Sequence, residues 1–239
     1  MQPPKKALST NNHTLLWTKG DLHTHYGVLK EKDIKKAKHT ITSHLGTVFH
    51  VFPPSFPDLL KKAQRGPQII LTKDIGLILT ETSLTKTSTV LEAGSGSGFL
   101  TCHLARFVKK VISYDQREDF LIIAKNNAAL FNFKNITFKQ KNVYEGIDEK
   151  GLDVIVLDLP EPERALQHSY DALAIGGYLV CYLPNITQVM GLVKNAQPLF
   201  HTLKITELLE RPWHVEEQRV RPMSQMIGHT GFLCFFRKV

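Results

Sequence analysis

The sequence predicts a doubly wound α/β domain with a mostly parallel sheet, preceded by a small β-rich module. Three observations carry this. From Thr89 onward, short apolar runs alternate with helical patterns, as parallel strands with crossover helices require. The first of these runs ends in a glycine-rich turn, "VLEAGSGSGFL" (90–100). The last two runs have no helix between them, which predicts an antiparallel pair at the closing edge.

Up to about Pro57 the pattern is irregular. "HTHYGVL" (23–29) and "GTVFHVF" (46–52), separated by Gly, Lys and Pro, read as short strands of a module over residues 1–57, with "MQPPKKALSTNN" as a flexible tail. Residues 58–239 form the main domain. It opens with "SFPDLLKKAQR" (55–65), helical with a capping Ser or Asp, and a second helix, "KDIGLILTETSL" (73–84). Strands are expected at 89–93, 111–115, 136–139, 154–157 and 178–182, and helices at 98–108, 118–132, 163–174 and 187–196. Runs 203–208 and 231–237 close the chain. Phe49, Phe52 and Phe56 read as core rather than as base-stacking rings.

Composition narrows the function. The 239 residues are 42% hydrophobic, an ordinary globular balance, and no apolar run approaches the ~20 residues of a membrane span. The amino terminus lacks the apolar middle of a signal peptide, which reads as cytoplasmic. Cys102, Cys181 and Cys234 are too few and too scattered for a disulfide framework or a zinc site. His23-Thr24-His25 has no carboxylate or cysteine cluster beside it, so no metal is expected. Residues 1–75 hold 12 Lys and Arg against 5 Asp and Glu, while the rest hold 18 against 17. A basic front half suggests a polyanionic partner, although a solvated lysine face gives the same count.

The glycines sit where an apolar strand turns into a helix, at the carboxyl end of the sheet where such folds bind ligands. Absent side chains let a ligand lie against the backbone. A dinucleotide fingerprint needs its third glycine at 99, where the chain has Phe99, so NAD is disfavoured. Glu92 before the turn suits a cationic ligand end. Asp115, ending the next strand in "VISYD", is placed to hold ribose hydroxyls. Together these fit S-adenosylmethionine; a merely tight connection is the competing reading.

Asp158 emerges at the end of the strand "VIVL" on the same rim, in a loop stiffened by Pro160 and Pro162. A carboxylate there can accept a hydrogen bond from an exocyclic amine and offset positive charge growing in a transition state. Alternatively, it caps the following helix.

"RGPQIILTKDIG" (65–76), "VLEAGSGSGFLT" (90–101), "DLPEP" (158–162), "GGYLVCYLPNITQ" (176–188) and "RVRPMSQMIGHTGFLCFFRK" (219–238), in this order, resemble the tRNA (adenine-N1)-methyltransferase family, and "GDLHTHYGVL" (20–29) resembles its amino-terminal module. The resemblance implies a Rossmann-like methyltransferase sheet and transfer of a methyl group from S-adenosylmethionine to N1 of adenine 58 of the tRNA T loop, with adenine 57 added in archaeal members. By the same resemblance Gln68, Ile69 and Ile70 line one side of the cofactor site, with Lys73 and Asp74 opening the supporting helix. Glu92, Gly94, Ser95, Gly96, Ser97 and Gly98 cradle the methionine part, Asp115 holds the ribose, and Leu100, Gln116, Asn142 and Val143 complete the site. Asp158 accepts from the N6 amine of the target adenine. Four departures stand out: Leu71 and Thr72 replace a ring and a proline, Asp115 replaces a frequent Glu, Asn142 replaces an Asp, and Glu163 replaces a Trp.

A T-loop adenine must be flipped out to react, which costs a few kcal/mol of unstacking that phosphate contacts offset. Candidates are Lys30, Lys32, Lys35, Lys36 and Lys38, with an exposed helix as the plain alternative, and Arg219 and Arg221, which the resemblance places at the active-site mouth. His229 in "GHTGFL" reads equally as pocket-lining or as a structural hydrogen-bonded residue. The resemblance also implies a homo-oligomer, a tetramer in prokaryotes.

Overall fold

The computed structural model describes every residue except Met1, Asn12, Arg65 and Pro67. It divides into two compact units, residues 1–64 with 126–132, and residues 65–125 with 133–239.

The first unit begins with strands β1 (Lys6–Thr10), β2 (His13–Trp17), β3 (Leu22–Thr24) and β4 (Gly27–Leu29). Helix α1 (Glu31–Lys36), strands β5 (Thr40–Thr42) and β6 (Val48–Phe52), and helix α2 (Phe56–Leu60) follow. An antiparallel sheet of order β2-β1-β6-β5 packs Leu8, Trp17, Leu29, Ile34, Phe49 and Val51 into one small core. Two expectations change here. Lys6–Thr10 is an inner strand instead of a flexible tail, because β1 pairs with β2 on one side and β6 on the other. Phe52 is 37% exposed instead of core, because β6 alternates and puts Val48, His50 and Phe52 on its outer face. Phe49 is fully buried, and the Phe56 ring lies 4.6 Å from that of Phe131. The helix expected through Arg65 ends at Leu60, and Arg65 itself lies outside the described residues.

The second unit holds α3 (Thr72–Glu81), β7 (Thr89–Ala93), α4 (Phe99–Ala105), β8 (Lys110–Asp115), the start of α5 (Glu118–Phe131), β9 (Ile136–Gln140) and β10 (Leu152–Leu157). It continues with α6 (Leu166–Ala172), β11 (Leu173–Leu183), α7 (Ile186–Ala196), β12 (His201–Thr206), β13 (Trp213–Glu216), β14 (Arg219–Pro222) and β15 (Phe232–Arg237). Seven strands form one sheet of order β12-β15-β11-β10-β7-β8-β9. It is parallel from β11 to β9, and β15 runs antiparallel to both of its neighbours. "LDVIVL" shows why β10 is central. Val154 and Val156 enter the core on one face and Ile155 and Leu157 the core on the other. Each such side chain contributes about 1.5–3 kcal/mol on burial.

The closing strands pair as expected, but β15 lies between β12 and β11. The expected helix over 163–174 is a 3₁₀ turn, Pro162–Ala165, followed by α6. Strand β11 starts at Leu173, ahead of the expected 178, because Gly177 fits the sheet: a Cβ there would meet the Ala174, Asp153 and Leu152 carbonyl oxygens at 2.9–3.1 Å. The β13–β14 hairpin was not anticipated; all its residues are exposed, so no core-facing period marks it.

Lys6 makes a specific contribution in the first unit. Its ammonium donates to the carbonyl oxygens of Ile34 (2.6 Å), Lys35 (3.0 Å) and Ala37 (2.6 Å), closing the carboxyl end of the six-residue α1. Replacing Lys6 by Met is expected to leave these carbonyls to water and to speed amide exchange at Ile34 and Ala37 at least several-fold, read by hydrogen–deuterium exchange.

Candidate functional site

The three glycines of the turn after β7 each have a different physical reason. Gly94 (φ +94°) and Ser95 donate their N–H groups to the Tyr114 carbonyl at 2.9 and 3.1 Å. A Cβ on Gly94 would stand 2.2 Å from the backbone oxygen of Asp158, so no side chain fits. Gly98 (φ +76°) opens α4, and a Cβ there would lie 3.0 Å from the Cβ of Ala124 on α5. Gly96 (φ +49°) has open space; its N–H reaches Oδ2 of Asp115 at 3.1 Å. Gly94 and Gly96 both line the clefts, and Gly96 is the one of the two where a side chain would meet no close neighbour.

Glu92 lies under the turn, 1% exposed. Its Oε2 accepts from the hydroxyls of Thr101 and of Ser113, the latter at 3.0 Å, and Ser113 also contacts the Ser95 hydroxyl at 2.6 Å. Burial, opposed by these hydroxyls and reinforced by Asp158 and Asp115, pushes the Glu92 carboxyl up to about 8. Asp115, at the end of β8, accepts from the N–H groups of Gly96 and Arg117, the latter at 3.0 Å. The Arg117 guanidinium stacks 3.4 Å from the Phe120 ring centroid, with its Nε 3.7 Å from Asp115.

Asp158 follows β10. Its N–H donates to the Ala93 carbonyl at 3.0 Å, which fixes it beside the glycine turn. Burial alone raises its carboxyl to about 6. It caps no helix: the next turn, Pro162–Ala165, has Glu161 at its start and no side-chain cap. The loop is held by Gln188, which donates to the Pro160 carbonyl at 3.0 Å, and by the Tyr144 hydroxyl, which accepts from the Glu161 N–H at 3.3 Å.

Three adjoining clefts share Gly94 and Asp158. The largest, 330 Å³, is lined by Asp115, Gln116, Asn142, Val143 and Tyr144 among others. A second, 140 Å³, shares Asp115 and Arg117 with it and adds Gln68, Gly96, Ser97 and Phe120. The narrowest brings Gln68, Ile69, Ile70 and Leu100 to Glu92, Ser95 and Ser97. Asn142 also organises its own loop, accepting from Tyr144 N–H at 3.1 Å and donating to Glu145 at 3.0 Å. Gly98 packs behind the clefts instead of lining them.

Other expected residues lie elsewhere. Arg219 and Arg221 stand on the exposed β13–β14 hairpin, where Arg221 donates to Ser224 Oγ at 3.1 Å, and neither lines the clefts around Asp158. His229 forms a latch: Nδ1 lies 2.7 Å from Glu207 and Nε2 2.8 Å from the Pro184 carbonyl. Both partners are acceptors, so the ring satisfies them only when protonated, and Glu207 holds its pKa above the usual range. Lys35 and Lys36 belong to α1 of the first unit, exposed, with Lys35 3.0 Å from Glu31.

Sequence reasoning passed over Thr101, Ser113 and Arg117; hydroxyls in the apolar runs "FLTC" and "VISY" were the available signal. It also missed why "KD" and "GHTG" matter to each other. The fully buried Asp74 receives Lys73 Nζ at 2.8 Å and the Thr230 hydroxyl at 3.0 Å, and Lys73 reaches Thr230 at 2.7 Å. This buried network ties the start of α3, just after Gln68–Ile70, to the start of β15.

Two outcomes follow from this geometry. Gly94→Ala is expected to destabilise the fold by several kcal/mol, whereas Gly96→Ala costs only ~1 kcal/mol, so a denaturant titration separates them. The raised pKa of Glu92 means the folded state keeps a proton that the unfolded chain gives up, so its stabilising effect is complete below about 4.5 and lost as pH rises towards 8. The Tm of the ligand-free protein is expected to fall across that window, and Glu92→Gln to flatten the fall.

The chain as a whole is similar to known proteins. The family model of the tRNA methyltransferase complex GCD14 subunit matches residues 50–221. The tRNA (adenine(57)-N(1)/adenine(58)-N(1))-methyltransferase TrmI of Methanocaldococcus jannaschii is 35% identical over 90% of this chain and 86% of its own. The tRNA (adenine(58)-N(1))-methyltransferase TrmI of Thermus thermophilus is 34% identical over 92% of this chain and 89% of its own. Among solved structures, the tRNA (m1A58) methyltransferase TrmI from Aquifex aeolicus superposes with a TM-score of 0.84 at 27% identity, over all of this chain and 98% of that one. A SAM-dependent O-methyltransferase from Thermotoga maritima gives 0.88 at 29%, over all of this chain and 94% of that one. With a family model spanning most of its length and relatives matched nearly end to end, the chain belongs to the GCD14/TrmI family of S-adenosylmethionine-dependent tRNA (adenine-N1)-methyltransferases.

Proposed function

We propose that this protein transfers the methyl group of S-adenosylmethionine to N1 of adenine 58 in the T loop of tRNA, with adenine 57, which the name of the M. jannaschii relative adds, as a second target. The observation that carries this reading is the chemistry of the narrow cleft. Glu92 and Asp158 both line it, and no Lys, Arg or His does among the described residues. Such a lining offers a pyrophosphate no cation and suits the cationic amino acid end of S-adenosylmethionine. Gly96 leaves room for that ligand to approach the backbone. Each carboxylate oxygen of Asp115 accepts one backbone N–H and keeps a lone pair for ribose hydroxyls. Gln116, Asn142 and Val143 line the adjoining cleft on the adenosine side.

When bound, S-adenosylmethionine supplies a methyl group on a sulfonium, which makes that carbon electrophilic. Asp158 would orient the target by accepting a hydrogen bond from the adenine N6 amine, leaving the N1 lone pair to take the methyl group as its bond to the sulfonium sulfur breaks and the neutral thioether departs. Methylation at N1 makes the ring cationic, and the Asp158 carboxylate offsets that charge as it grows. Asp158 lines all three clefts and no hydrogen bond among the described residues engages its carboxyl oxygens, so they are open to this contact. The same reading makes the protein a cytoplasmic homo-oligomer, a tetramer by family resemblance, and no helix among the described residues is long and apolar enough to cross a membrane.

The test is to incubate an unmodified tRNA transcript with labelled donor and map the product by mass spectrometry. A methyl on N1 of adenine 58, with or without one on N1 of adenine 57, is expected; a methyl on an oxygen, on any other base or on protein rejects the reading. Asp158→Asn is expected to retain donor binding and to lower kcat about a hundredfold or more. Because Asp158 must be ionised to accept and its pKa is raised to about 6, kcat is expected to fall as pH drops below about 6 and to level above it.

A further inference from the structure

The histidines of the first unit have no role in the chemistry above. Residues 1–64 carry 10 Lys and Arg against 4 Asp and Glu, a surplus of 6 out of the chain's +8, and residues 126–132 carry no charge. On this basic unit three rings meet at the tip of the β3–β4 hairpin. The His25 ring lies 3.8 Å from that of Tyr26, and the His13 ring lies 6.2 Å from both. His13 and His25 are exposed and Tyr26 is half-buried.

This tip is held rigidly. The Tyr26 ring centroid lies 6.1 Å from that of the fully buried Phe49, the two planes 75° apart. The Tyr26 carbonyl accepts from the Ser43 hydroxyl at 2.6 Å, and its N–H donates to the Thr24 hydroxyl at 3.0 Å. His44 Nδ1 accepts from the Val28 N–H at 2.8 Å. Gly27 (φ +109°) is closed in, since a Cβ would lie 2.8 Å from the Ser43 hydroxyl oxygen. The Tyr26 ring, held in advance, loses little freedom when a ligand stacks on it or on its neighbours. No group of three or more His, Cys, Asp or Glu with metal-site geometry occurs among the described residues. Two exposed rings beside an anchored tyrosine on a cationic unit match an unpaired nucleobase, whose flat face stacks on His or Tyr while lysines meet the phosphates.

We propose that His13, His25 and Tyr26 form a stacking platform for an unpaired nucleobase of the RNA substrate, a surface that shares no residue with the clefts around Asp158. The inference rests on tRNA being the substrate. Its test is binding alone: the Kd of unmodified tRNA is measured over a range of salt concentrations for the parent protein and for His25→Ala, His25→Phe, His13→Ala and Lys36→Ala. His25→Ala and His13→Ala are expected to weaken binding about tenfold at every salt concentration, because stacking releases no counterions and leaves the slope of log K against log salt unchanged. His25→Phe is expected to bind like the parent. Lys36→Ala serves as the electrostatic contrast and is expected to reduce the slope by nearly one.

Parent-like affinity of both alanine variants overturns the proposal. So does a reduced salt slope in them, which would assign the histidines a role as charges, or a His25→Phe variant as weak as His25→Ala. Should His25→Ala fail to keep the parent's circular dichroism and Tm, His13→Ala and His25→Phe decide alone. A parent protein that binds no tRNA refutes the proposed function itself, whereas a binding parent with unaffected alanine variants refutes only the platform.

Discussion

The site depends on one close approach. The Cα of Gly94 lies against the backbone carbonyl of Asp158, and the Asp158 N–H donates to Ala93 at 3.0 Å. Strands β7 and β10 are neighbours in register through Leu157 and Ala93. Their ends can stay together past the last ladder bond only because the residue after Ala93 has no side chain. Were there a Cβ at 94, the loop carrying Asp158 would have to lift away. The acid would then leave the clefts that it shares with Glu92 and Asp115.

That arrangement keeps acids together out of water. Glu92 is buried beneath the turn, and burial alone acts on the Asp158 carboxyl, so both favour the proton more than free carboxyls do. A chain selected for stability alone would place apolar residues there. Two hydroxyls moderate the cost at Glu92, and Asp158 is left without such help. The difference fits their positions: one acid supports the floor of the clefts, while the other stays open towards them.

Much of this was legible in the sequence. Buried parallel strands announce themselves as unbroken apolar runs, and "DVIVL" and "TVLEA" were placed within two residues. The rim acids were legible because each directly follows or ends such a run. The glycine spacing pointed to the turn, but spacing cannot tell Gly94, excluded from bearing a side chain by Asp158, from Gly96, which faces open space; that distinction exists only once β10 is in place. The β13–β14 hairpin was illegible for a different reason. Trp213 and Val215 alternate with His214 and Glu216, but each strand is only four residues long and none of its residues is buried, so no core backs the pattern. The strand at Lys6–Thr10 escaped notice because pairing on both sides holds it, and its own polar composition says little.

The position of β15 carries a consequence for how the sheet is assembled. Among the described residues strand β12 has no other partner in the sheet, so it joins through a segment that begins at Phe232, well after its own last residue, Thr206. Shortening the polypeptide before that segment would therefore strip two strands instead of one. It would also uncover Leu179 and Cys181 along the flank of β11, leaving an unpaired, apolar border open to association with other chains.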